Sequence, residues 1–142
     1  MNKNKLLRVA LVLLPLLVVL VVIDPASVTV IGEQEVNYVS FMHPVEESSV
    51  GWCAPVAALL NYVLFGMAVL HLLTGKEVWL KGIFGLAFAA ATIAALPVIV
   101  NTVPKVVPSV LAAILLGTHC IVAKVLLRPE QQKQETKVVT LR

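Results

Sequence analysis

Charge is what this sequence has least of. Of its 142 residues, 11 are Lys or Arg and 8 are Asp or Glu, 13% in all, against roughly 25% in an average soluble domain. A water-soluble domain of this size leaves much of its surface exposed and needs a polar skin. The few charges here lie mostly at the chain ends and in loops, so they cannot supply one. Cysteine is equally scarce: Cys53 and Cys120 are too few for a disulfide framework. The sequence also lacks a phosphate-binding glycine loop, a serine-nucleophile elbow, an HExxH pair and any pair of carboxylates inside a hydrophobic run. Nothing in it names a reaction, so no catalytic residue and no cofactor is assigned. The net charge of +3 does not point to nucleic acid, because the basic residues flank hydrophobic runs instead of forming a patch of their own.

What is abundant is apolar length. Hydrophobic residues make up 59% of the chain, gathered into four runs at 6–23, 51–73, 78–100 and 106–127. The shortest, 18 residues, spans about 27 Å as a helix, close to the roughly 30 Å hydrocarbon core. Pro55 and Pro108 fall in first turns, where a missing N–H costs nothing. Gly75 follows the second run, as a helix C-terminus prefers. Asn101 to Lys105 reads as a tight turn. A cleaved leader is the competing reading of the first run, with Lys3, Lys5 and Arg8 as its basic start. The run is long for that role, and Asp24 stands where a small residue is wanted before a cleavage after Ala26. The expected fold is an all-α membrane protein, a four-transmembrane-helix bundle in one domain over 1–128. Residues 129–142, rich in Gln, Lys and Glu, are expected to form a disordered cytoplasmic tail.

Between the first two runs lies a loop, 24–50. Its β-prone stretches 27–31 and 36–41 flank Gly32 and predict a short hairpin. Positive residues mark the cytoplasmic side. Loop 24–50 holds no Lys or Arg but five acids, Asp24, Glu33, Glu35, Glu46 and Glu47. Only Lys105 shares its side, so ten of the eleven basic residues fall on the other. Both termini are therefore expected inside and the β-hairpin loop outside. Trp52 and Trp79 fall at opposite interfaces, where indoles anchor. The inner basic ring also suits anionic lipid of the cytoplasmic leaflet.

Small residues let membrane helices approach closely. Ala87, Ala91 and Ala95 repeat at spacing four in the third run, as do Ser109, Ala113 and Gly117 in the fourth. In an antiparallel pair, residues at one depth share a constant index sum, and both stripes fit a sum of 204. The two stripes are therefore expected to face each other. Asn61 and His119 are the polar residues deepest in the runs; lipid offers them no partner, and a hydrogen bond between them is one way to satisfy both. A pH-sensing His119 is the sharper alternative. His43, Glu46 and Glu47 near Cys53, and His71, His119 and Cys120, are the only loose groupings of metal-ligand types. Neither has the spacing of a zinc site, so no metal is assigned. The two cysteines differ by roughly 18 Å in expected depth, beyond the reach of a disulfide.

The stretches Val28-Thr-Val, Tyr38-Val-Ser-Phe41 and Gly51-Trp-Cys-Ala-Pro-Val-Ala-Ala-Leu59 resemble small four-helix membrane proteins of Gram-positive bacteria whose role is uncharacterised. The resemblance covers about half the chain and implies a fold but no activity. A β-containing first outer loop is also similar to the claudin-like group, but that group's paired loop cysteines and Trp-Gly-Leu-Trp pattern are absent. The expected role is non-enzymatic: an accessory or structural component acting through helix packing and the acidic loop, alone, as a homo-oligomer or with a membrane partner. The alternative is a small transporter or channel subunit that forms its path by oligomerising.

Overall fold

The computed structural model describes residues 3–23, 28–31, 36–39, 52–99 and 107–141. Among them are four helices, α1 (Lys3–Ile23), α2 (Cys53–Thr74), α3 (Glu77–Ile99) and α4 (Val107–Thr140), and two short strands, β1 (Val28–Ile31) and β2 (Val36–Val39). All four helices contain a segment long and apolar enough to cross a membrane: Asn4–Val21, Cys53–Thr74, Glu77–Ile99 and Ser109–Arg128. The strands pair antiparallel with Thr29 opposite Tyr38, and β1 approaches α4. Residues 32–35, the expected turn of the hairpin, and 101–105, the expected turn before α4, lie outside the described residues.

Each helix packs against its neighbours in sequence, and α4 closes the ring on α1; the α3–α4 contact is the most extensive. The buried positions explain this arrangement. On α3 they are Leu80, Ile83, Ala87, Ala90, Ala94 and Pro97. On α4 they include Ser109, Ala112, Leu116, His119, Ala123 and Leu126. On α2, Ala57, Asn61, Leu64, Ala68 and His71 are buried, and on α1, Leu11, Pro15 and Val18. Steps of three and four alternate in every case. That 3.5-residue period keeps one stripe of each helix facing the axis when the helices wrap in a left-handed sense. Alanine dominates the α3 stripe, so backbones meet at close range and dispersion does the work that the hydrophobic effect cannot do between helices in lipid.

The turn between α2 and α3 is only two residues long. Gly75 takes φ 65°, the left-handed conformation that costs glycine little, and its N–H donates to the His71 carbonyl at 2.8 Å. Just above the turn, a Cβ on Gly82 would meet the methyl of Met67, so α2 and α3 are already in close approach there.

The tail differs from expectation. α4 does not stop near residue 127 in a disordered extension; its helical backbone continues to Thr140. Gln131, Gln132, Lys133, Gln134, Glu135 and Lys137 are straight-chain residues that lose little rotamer freedom in a helix, and α4 supplies the preceding turns as a nucleus, removing the initiation cost that an isolated segment would face.

Replacing Ala90, fully buried, by Leu is expected to destabilise the bundle by about 1–3 kcal/mol through overpacking. Phe88→Leu, at a position 64% exposed on the outer surface, is expected to change stability by less than about 0.5 kcal/mol. Reversible unfolding in mixed detergent micelles measures both.

Candidate functional site

The polar side chains buried among the described residues are Asn61, His71, Ser109 and His119. Three contacts fix how the helices line up, and hence the depth of each of these groups. Asn61 Nδ2 donates to the Pro15 carbonyl at 3.0 Å, setting α1 against α2. The Met67 methyl beside Gly82 sets α2 against α3. The Cys120 thiol donates to the Phe84 carbonyl at 3.6 Å, setting α3 against α4; this pair also has an index sum of 204.

Asn61 does not bond His119. Its amide instead reaches across to α1, where Pro15 interrupts the helix. Proline has no N–H to offer the carbonyl one turn earlier, that of Leu11; the Pro15 carbonyl keeps two lone pairs like any other, and one of them accepts the Asn61 amide. The geometry joins the one helix-interior proline of α1 to the one amide of α2, and sequence spacing alone carries no sign of it. Asn61 Oδ1 and both ring nitrogens of His119 are buried with no protein partner.

His71 belongs to the turn and to no metal grouping. Its Nδ1 lies 3.1 Å from the Lys76 carbonyl; a carbonyl only accepts, so Nδ1 carries the proton and Nε2 is left as an acceptor. With the Gly75 cap, this bond ties both sides of the two-residue connection. His71 lies about 10 Å further along the bundle axis than His119, too far for both rings to bind one ion at zinc distances. His43, Glu46 and Glu47 lie outside the described residues. Among the described residues no three His, Cys, Asp or Glu side chains converge. Cys53 and Cys120 are both free and buried.

The two small-residue stripes both lie on the α3–α4 side, but only their first members are sealed in the seam. Ala87 is fully buried and Ser109 nearly so, whereas Ala91, Ala95, Ala113 and Gly117 are half-buried. A spacing of four overshoots the helical turn by about 40° per step, so the stripes rotate outward. There Ala91, Ala95, Ala113 and Gly117 line an apolar groove of about 600 Å³ that faces outward between α3 and α4. The seam itself is completed by Ala90, Ala94 and Ala112, positions that a search at spacing four skips and a 3–4 alternation finds.

Threonine hydroxyls on the outer faces are consumed locally. Thr92 donates to the Phe88 carbonyl at 2.9 Å and Thr118 to the Ile114 carbonyl at 2.8 Å. At the end of the bundle where α1 begins, Lys81 pairs with Glu77 one turn earlier at 2.9 Å.

No family model matches this chain, and neither a curated protein nor a solved structure is significantly similar to it.

Asn61→Leu removes a donor and an unpartnered acceptor together, and its expected cost is about 1 kcal/mol or less. Asn61→Asp places a carboxyl opposite the Pro15 carbonyl at mid-span, with an expected cost of about 2.5–3.5 kcal/mol. Stability of the two variants in the same bilayer mimetic gives the comparison; equal effects would overturn the placement of Asn61 at an apolar mid-span.

Proposed function

We propose that this chain is a multi-pass protein of the cytoplasmic membrane, with its N- and C-termini in the cytoplasm and loop 24–50 outside. Its role is that of an accessory or structural component working through helix–helix contacts and the acidic outer loop. The observation that carries this reading is the interior itself. The α3 stripe is a close-packed alanine seam, and among the described residues no acidic side chain is buried in any of the four candidate spans. Ion-coupled carriers commonly place carboxylates at that depth; a seam of small residues serves close packing.

The orientation rests on the ten-to-one division of basic residues. In this orientation Lys76, Lys81, Lys124 and Arg128 surround the inner end, where anionic headgroups attract them by about 1 kcal/mol per basic residue. The short β1–β2 pair then stands on the outer side as the hairpin of loop 24–50, with β1 against α4. The outward face of α3 and α4, with its small-residue groove, is the side available to a second copy or a membrane partner.

Two measurements test the proposal. Reporter fusions after residue 75 and at the C-terminus are expected to signal a cytoplasmic location, and one within 32–35 an external one. Purified protein in sealed vesicles is expected to add no ion flux above that of protein-free vesicles; a conductance that scales with protein content would replace this reading with that of a channel subunit.

A further inference from the structure

The unpartnered polar atoms are not scattered through the bundle. Among the described residues they are Asn61 Oδ1, both nitrogens of His119, Arg8 Nε, Trp79 Nε1 and His71 Nε2, with Glu77 Oε1 held by Lys81. The three contacts that set the helix register place them in order. His119 is level with Leu64, one turn from Asn61 and about 4–5 Å along the axis. Arg8 is level with Ala68, Trp79 with Leu70, and His71 follows one residue on. The whole set therefore covers about 15 Å, from mid-span to the end where the α2–α3 turn lies. None of them falls between Asn61 and the opposite end.

The chemistry of the set is mixed. Asn61 Oδ1 and His71 Nε2 accept, Arg8 Nε and Trp79 Nε1 donate, and His119 does both. An apolar environment leaves each such group at a cost of about 1–3 kcal/mol, and none of these atoms is hydrogen-bonded to another. Water meets the requirement: one molecule both donates and accepts, and two hydrogen bonds of about 2.8 Å each bridge gaps of this size. Level with Arg8, α2 and α4 present only alanines, Ala68 and Ala123, while α3 presents Leu80. Around His119 the walls are bulkier, Leu11, Leu64 and Ile83, so the file narrows there and ends at Asn61, whose amide is held by Pro15.

We infer that the half of the bundle next to the α2–α3 turn is a binding site for a file of water molecules, entering between Arg8, Trp79 and His71 and ending at Asn61. The opposite half is dry. The protein thus has a one-sided hydrated interior in which His119 exchanges protons with the solution on the side of the N-terminus. The inference stands whichever side of the membrane that end faces, so its failure is separable from failure of the orientation proposed above.

The test is water-edited solid-state NMR of protein labelled with 15N-histidine and 15N-asparagine in lipid vesicles. His119→Gln and Asn61→Leu assign the signals by their loss. The ring nitrogens of His119 and the Asn61 side chain are expected to receive magnetisation from water on the timescale seen for His71. Ala68→Leu, which fills the space level with Arg8, is expected to slow transfer to His119 and Asn61 several-fold while leaving His71 unchanged. Transfer to His71 but not to His119 in the unmodified protein overturns the inference, as does equal transfer to His119 with and without the Leu side chain in a folded Ala68→Leu protein.

Discussion

Hydrocarbon provides no hydrogen-bond partner, and for a chain with four candidate membrane spans the rest of the architecture follows from that. Each backbone N–H and C=O within a span has to be satisfied by its own helix, so the apolar runs become helices whatever their local propensities. Once helical, they cannot be driven together by apolar burial, because lipid tails are as apolar as the side chains they would replace. What remains is fit. The alternation of three and four residues along α1, α2, α3 and α4 brings small side chains into register, and the alanines of α3 remove the bulk that would hold the backbones apart.

The same constraint explains where polar side chains are found. Thr92 and Thr118 turn their hydroxyls back onto carbonyls of their own helices, so they add nothing to helix association. The Asn61 amide instead finds the carbonyl of Pro15 on α1. The bond is a polar cross-brace between the first helix and the rest, added to the packing of α1 on α2 and α4. His71 plays the corresponding part at the α2–α3 turn through the Lys76 carbonyl. Between these two braces lie the groups that have no protein partner.

The four helices and their approximate limits were legible because hydrophobic length is a strong signal, reinforced by Pro55 and Gly75 at helix ends. The α3–α4 register was legible from residue identities, since small side chains mark where backbones approach, and the Cys120–Phe84 contact has the same index sum. Which small residues are sealed was not legible from a spacing of four: the helical repeat turns Ala91 and Gly117 outward while Ala90 and Ala112 take the seam. The partner of Asn61 was hidden because a backbone carbonyl has no sequence identity; any residue of α1 offers one. The helical continuation of α4 was missed because polarity suggests disorder, whereas the propensities of Gln, Glu and Lys favour helix once one has started.

The two-residue connection at Gly75 and Lys76 also constrains how the helices can move. With the turn closed by the Gly75 cap and the His71–Lys76 bond, α2 and α3 form one antiparallel hairpin with no slack between its arms. Neither arm can slide along the bundle axis by itself, because two residues give no length to spare. A shift of either helix therefore carries Asn61 and His71 together with the alanine face of α3, and pulls on the Asn61–Pro15 bond that ties the hairpin to α1.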